Sequence, residues 1–185
     1  DRTQHLDQMN SRFVESQTIG SMVELPKDKK IVVYFSSSGD EIVELDLDWD
    51  SYFGGQEKAL AYVAQICAED PDTFFIVRSH PHKRNKPKRD VQEWVAAVNS
   101  ANPDLHIDPH SGVDSYELMR AADLVITYGS TSGVEAAFAK IPVIVMGPSA
   151  YNILGCATQV VNQEELRQAM ADPKAGNWNG AVSYG

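Results

Sequence analysis

Apolar residues in this chain fall into short unbroken runs, each followed by a segment of small or polar residues and then by a stretch of helical periodicity. The first run, Ile31-Val32-Val33-Tyr34-Phe35, leads into Ser36-Ser37-Ser38-Gly39-Asp40. A continuous β-branched and aromatic run is what a strand buried on both faces requires. Asp40 to Asp50 is acidic and reads as a solvated loop. Gln56 to Glu69 then places Ala59, Leu60, Val63, Ile66 and Cys67 on one helical face. Thr73 to Val77 is a second strand, Val91 to Asn99 a short helix with Trp94, Val95 and Val98 inward, and Leu105 to Ile107 a third strand. Asp114 to Ala122 reads as a helix opened by a capping box, because Glu117 follows Asp114 by three residues. Leu124 to Ile126, Pro142 to Met146 and Thr158 to Val161 are the remaining strands, with helices from Val134 to Ala139 and from Gln163 to Met170.

Strands alternating with helices, without an internal repeat, predict an α/β domain: a Rossmann-like parallel sheet of about six strands with helices on both faces. The expected organisation is a lead-in over residues 1–29, the Rossmann-like domain over 30–171 and a flexible Gly- and Asn-rich tail over 172–185. A length of 185 residues fits one such domain.

Composition narrows the partners. A net charge of −10 argues against nucleic acid, whose backbone calls for clustered cations. No apolar run approaches the ~20 residues that span a bilayer. Cys67 and Cys156 each lie in an apolar segment and read as buried thiols in a reducing, cytoplasmic setting. The chain opens on Asp1, so an upstream segment is expected to be missing.

In an open parallel sheet, ligands bind beyond the carboxyl ends of the strands. Three loops there carry candidate chemistry. Tyr128-Gly129-Ser130-Thr131-Ser132-Gly133-Val134-Glu135 joins a strand to a helix N-terminus, where amides and hydroxyls suit an anion. Glu135, one turn into that helix, is placed to accept from ribose hydroxyls. An equally simple reading makes Ser130 or Ser132 an N-cap. The second loop begins Arg78-Ser79-His80-Pro81-His82-Lys83-Arg84 and continues through Lys86, Lys88 and Arg89, so six of the 16 Lys and Arg residues stand together in an acidic chain. That concentration suggests a diphosphate, although a solvated basic loop would look the same. The third, Ser36-Ser37-Ser38, either admits a ligand close to the sheet or is a plain turn. His80 and His82 lack Cys or carboxylate partners at ligand spacing, so no metal site is expected.

The ordered set Tyr34-Phe35-Ser36-Ser37-Ser38, Val77-Arg78-Ser79-His80-Pro81-His82, Val113 to Met119, Ala122 to Ala137 and Pro142-Val143-Ile144 resembles the C-terminal domain of bacterial capsule-polysaccharide biosynthesis proteins with the GT-B fold, Kdo transferases among them. The resemblance covers roughly Lys30 to Gly155 and implies one GT-B half-domain that binds the donor. It implies that His80 and Ser130, Thr131 and Ser132 contact the donor phosphate, with His80 stabilising the leaving group, and that Glu135 holds ribose; Arg78, Lys83, Arg84, Gly129 and Gly133 are expected to bind phosphate from their places in the basic and glycine-flanked loops. The substrate implied is a CMP- or UDP-linked sugar, with a glycan acceptor and no further cofactor. The catalytic carboxylate is expected from an N-terminal acceptor domain, so this chain by itself is expected to be inactive. Peripheral association of the full-length protein with the inner face of the membrane belongs to the same expectation. Alternatives are a nucleotide-sugar 2-epimerase, a CDP-polyol phosphotransferase and a non-catalytic nucleotide-binding module.

Overall fold

The computed structural model describes residues 18–38 and 52–184. The acidic stretch from Asp40 to Asp50, and Gly39 and Asp40 of the first serine loop, lie outside the described residues.

Six parallel strands, β1 (Lys30–Phe35), β2 (Thr73–Arg78), β3 (Leu105–Ile107), β4 (Leu124–Thr127), β5 (Val143–Val145) and β6 (Thr158–Gln159), form one sheet in the order β3-β2-β1-β4-β5-β6. This is the expected α/β Rossmann-like sheet. Between the strands run α1 (Gln56–Ala68), α2 (Lys88–Ala101), α3 (Ser115–Arg120) and α4 (Ser132–Phe138), with α5 (Gln163–Ala171) and α6 (Trp178–Tyr184) closing the chain.

Alternation along β1 builds two cores. Ile31, Val33 and Phe35 join a cluster on one face with Leu118 and Met119 of α3, Val134 and Ala137 of α4 and Ala181 of α6. Val32 and Tyr34 join another with Leu60 and Val63 of α1, Trp94 and Val98 of α2, and Leu166 of α5. A strand buried on both sides needs apolar residues at every position, which is why the runs are unbroken. Truncating any fully buried member such as Leu60 costs about 2–5 kcal/mol.

Several local readings change. Helix α2 starts at Lys88, so Lys88 and Arg89 belong to its first turn rather than to a loop. Val95, placed inward by the sequence reading, is 41% exposed, because Trp94 and Val98 already fill that face. Asp114 does cap α3, accepting from the Tyr116 N–H at 2.9 Å, but Glu117 pairs with Arg120 rather than closing a capping box. The second Asp114 oxygen accepts from the Gly20 N–H at 3.0 Å and ties down the end of the lead-in.

The segment after Asp172, expected to be a flexible tail, contains helix α6. It is docked by burial of Gly180 and Ala181, by the Trp178 indole donating to the Phe138 carbonyl at 2.9 Å, and by stacking of those two rings at 5.9 Å. The Gly and Asn content that suggested flexibility serves close packing instead: a Cβ at Gly180 would collide with the Leu154 carbonyl. Gly180→Ala is therefore expected to lift α6, lower stability by about 1–3 kcal/mol and open the segment before Trp178 to limited proteolysis. Unchanged melting and cleavage would show that α6 does not depend on this contact.

Candidate functional site

The sheet order places β1 beside β4 while the chain runs outward from β1 through β2 to β3 and only then returns. That reversal makes the carboxyl ends of β1 and β4 the topological switch point, the place where open α/β sheets receive ligands. Register sharpens it, because Phe35 pairs with both Arg78 and Thr127. The loops beginning at Ser36, Ser79 and Tyr128 therefore leave the sheet at one level.

Ser36, Ser37 and Ser38 are all buried, which is unusual for a plain turn. Ser36 Oγ accepts the His80 N–H at 2.8 Å and so joins the first loop to the second. The Ser37 N–H donates to Gln56 Oε1 at 2.6 Å, fastening the loop to the start of α1. The hydroxyls of Ser37 and Ser38 are buried with no hydrogen-bond partner among the described residues.

His80 is half-buried and caps the 3₁₀ turn Pro81–Asn85, its ring Nδ1 accepting the His82 N–H at 3.1 Å. In the neutral ring this puts the hydrogen on Nε2. The cations around it, grouped together by the sequence reading, separate in space. Arg78 is 2% exposed: Nη1 donates to the Asp108 carbonyl at 2.8 Å, Nε lies 3.5 Å from Ser115 Oγ, and Nη2 is buried without a partner among the described residues. Burial lowers its pKa to about 10, opposed by Asp108, so the guanidinium remains charged near neutrality. Lys83 is also buried, with its ammonium 4.2 Å from the centre of the Trp94 ring. Arg84 is exposed.

The third loop is turned tightly on itself. Gly129 has φ 103°, a conformation open to glycine at little cost. The Ser130 N–H donates to Thr127 Oγ1 at 3.0 Å, the Ser132 N–H to Ser130 Oγ at 3.4 Å and the Gly133 N–H to the Ser130 carbonyl at 3.0 Å. These three amides, expected to be offered to an anion, have partners inside the turn, and the N-cap of α4 is Thr131, without a side-chain cap, rather than Ser130 or Ser132. What the loop holds without a partner among the described residues is the buried Ser132 hydroxyl. Thr131 and Glu135 are exposed, and Glu135 accepts from the Tyr116 hydroxyl at 3.4 Å.

Four contributors escaped the sequence reading: Gln56, Trp94, His106 and Tyr151. The Tyr151 hydroxyl donates to the Ser130 carbonyl at 2.7 Å and occupies the space a Cβ at Gly133 would need. Its signal in the sequence is only a Tyr in a Gly- and Pro-punctuated loop, where nothing indicates which backbone it will reach. Among the described residues, no three His, Cys, Asp or Glu side chains meet as a metal-ligand set.

Residues 6–179 match the model of the capsule polysaccharide biosynthesis protein family. The chain belongs to that family. Among relatives of this capsule-family domain is the protein FixF of Sinorhizobium fredii (strain NBRC 101917 / NGR234), 28% identical over 109 residues, which cover 59% of this chain and 25% of FixF. Its fold is shared with KpsC, a β-Kdo 2,7-transferase of Thermosulfurimonas dismutans, at a TM-score of 0.53, 20% identity and coverage of 95% of this chain and 51% of that one. A UDP-GlcNAc 2-epimerase from Neisseria meningitidis bound to UDP-GlcNAc also has a TM-score of 0.53, at 13% identity, covering 91% of this chain and 40% of its own. The capsule-family domain thus spans about half the length of KpsC and a quarter of FixF.

Lys83 has a titration consequence. Burial pulls its pKa from 10.5 down to about 8, partly opposed by Glu57 and reinforced by Lys86. Below pH 8 both folded and unfolded chains carry the proton, and the cost of burying the charge is fully present. Between pH 8 and 10.5 the unfolded chain binds a proton that the folded chain has released, so stability rises with pH. Lys83→Met is expected to remove that rise, which amounts to about 1–3 kcal/mol. Urea melts of both proteins from pH 7 to 10.5 check this, and parallel curves would contradict the burial of the ammonium.

Proposed function

We propose that the site at the carboxyl ends of β1, β2 and β4 binds the phosphate of a nucleotide-linked sugar, and that the chain is the donor-binding half of a glycosyltransferase of surface polysaccharide synthesis. The observation that carries this reading is a set of buried polar atoms at those strand ends that have no partner among the described residues: Arg78 Nη2 and the hydroxyls of Ser37, Ser38 and Ser132. A buried donor without an acceptor costs about 1–3 kcal/mol, and more when it is charged. Such a cluster at a topological switch point is the pattern of a site whose missing acceptors arrive with the ligand. Phosphate oxygens supply those acceptors and match a guanidinium well.

His80 is the residue we assign to the leaving phosphate. Its backbone N–H donates to Ser36 Oγ and its Nδ1 accepts from the His82 N–H, so in the neutral ring Nε2 carries the hydrogen, the kind of donor that suits charge building on a departing oxygen. Lys83, Arg84, Gly129, Ser130, Thr131 and Gly133 complete the proposed phosphate surround, with Glu135 on the ribose. A second domain supplies acceptor binding and the general base. CMP- and UDP-linked donors both fit this reading. Among the described residues no helix is long and apolar enough to cross a membrane. The proposed setting is the cytoplasm, with peripheral attachment of the full-length protein at the membrane's inner face.

A 2-epimerase shares the fold at the same TM-score, so fold alone does not separate the two activities. Family membership favours transfer to a glycan. With the full-length protein, glycan extension from a CMP- or UDP-sugar supports the transferase, whereas epimerisation of UDP-GlcNAc without acceptor overturns it.

The unpartnered hydroxyls give a test that separates ligand binding from folding. Ser37→Ala and Ser132→Ala remove hydroxyls that make no hydrogen bond among the described residues, so stability is expected to change by less than about 1 kcal/mol, or to rise. Affinity for UDP or CMP is expected to fall about 5- to 20-fold in either variant, while uridine and cytidine bind weakly throughout. Equal calorimetric affinity for nucleoside and nucleotide, or variants that bind as wild type does, would remove the phosphate site.

A further inference from the structure

We infer that Ser79, Trp94 and His106 form a positioning relay that sets the turn carrying His80. Ser79 is fully buried and directly precedes His80. Its N–H donates to the Ile107 carbonyl at 2.9 Å. Its Oγ accepts the Trp94 indole N–H at 2.7 Å and lies 2.8 Å from His106 Nε2. An indole nitrogen can only donate, so the serine oxygen is the acceptor on that side. The hydroxyl hydrogen then points to His106 Nε2, which must be unprotonated, and the neutral ring carries its hydrogen on Nδ1. In this one arrangement the Ser79 hydroxyl both accepts and donates, and the Trp94 N–H and His106 Nε2 each have a partner.

The relay joins three elements. Trp94 comes from the middle of α2, His106 from the edge strand β3, and Ser79 from the end of β2. Because peptide planes are rigid, only two soft dihedrals lie between the anchored Ser79 and the His80 Cα. His80 is in turn fixed from the other side by Ser36. The relay therefore sets the level and direction of the residue to which the proposed function assigns the leaving phosphate, and its role in binding rests on that reading. Neither Trp94 nor His106 needs to touch the ligand.

Protonation of His106 would turn Nε2 into a donor. Ser79 Oγ would then face two donors, and its own hydrogen would lose its acceptor in a dry site. The charged groups acting on His106 are Asp108 beyond its own strand and Arg78 of β2. Lys83 lies on the other partner, the Trp94 ring. Burial, opposed by Asp108 and reinforced by Arg78, holds the His106 pKa below its usual value, so the relay stays closed at neutral pH and opens in acid.

The test uses the full chain and needs no ligand for its first part. The Trp94 indole N–H and the His80 and His82 backbone amides are followed by NMR from about pH 5 to about 7.5, a range around histidine's ordinary ~6.5. In wild type the three signals are expected to share a midpoint below that value. In His106→Gln, whose amide oxygen can accept from Ser79 at any pH, that common component is expected to vanish. A Trp94 signal that is flat in wild type, or a common midpoint that survives in His106→Gln, overturns the relay. Calorimetry with UDP and CMP then reads the effect on the site: His106→Ala, which offers no acceptor, is expected to bind about 3- to 10-fold more weakly at neutral pH, and His106→Gln to recover most of the loss. Equal binding by all three proteins would overturn the positioning role. If neither nucleotide binds wild type while the common midpoint is present, the donor-site reading fails and the relay stands.

Discussion

The register of β1 between β2 and β4 is the constraint on which the remaining geometry depends. Six residues of β1 pair with β2 and four pair with β4, and Phe35 sits opposite both Arg78 and Thr127. A slip of one residue would move Val33 and Tyr34 to the wrong cores and shift the serine loop against the His80 turn. Burial of apolar side chains on both faces makes such a slip expensive, so the core that stabilises the domain also aligns its three candidate loops. The Ser36 bond to the His80 amide depends on that alignment.

Given aligned loops, the distribution of hydrogen-bond partners decides what the site can do. The polar groups around it are not uniformly starved. Ser36, Ser79, Ser130 and Thr127 are used within the fold, and they hold the backbone in place. The hydroxyls of Ser37, Ser38 and Ser132 and one nitrogen of Arg78 have no partner among the described residues. A fold that satisfies one set of neighbouring hydroxyls and buries another unsatisfied has spent stability on the second set. Preorganised, desolvated donors are what a phosphate site requires, because they need no rearrangement when charge arrives.

The cations show how one feature of the sequence divides once the chain folds. From Arg78 to Arg89 the residues form one basic segment. In space Arg78 lies under the sheet's end toward α3, Lys83 is laid on the Trp94 ring, Arg84 is exposed, and Arg89 pairs with Glu93 on the surface of α2. The exposed pairs contribute little. The two buried cations are expensive, and their placement matters more to the site than the total charge of the segment.

The sequence by itself determined the α/β class, the six strands and the loops in which to look. Unbroken apolar runs and helical periodicity are short-range signals, and burial on both faces of a parallel sheet leaves few other readings of them. Gly129, Gly133, the serine loops and the His-Pro pair were legible for the same reason: they are local in the chain. The docking of α6 was not legible, because the fit of Gly180 under Leu154 is a contact between segments that carry no local mark of each other. Nor was the contrast between satisfied Ser130 and unsatisfied Ser132, or the links from Gln56 to Ser37, Tyr151 to Ser130 and Trp94 through Ser79 to His106. Residue type states what a side chain can donate or accept. Only the tertiary structure decides which partner lies within 3 Å of it, and therefore which donors remain for a ligand.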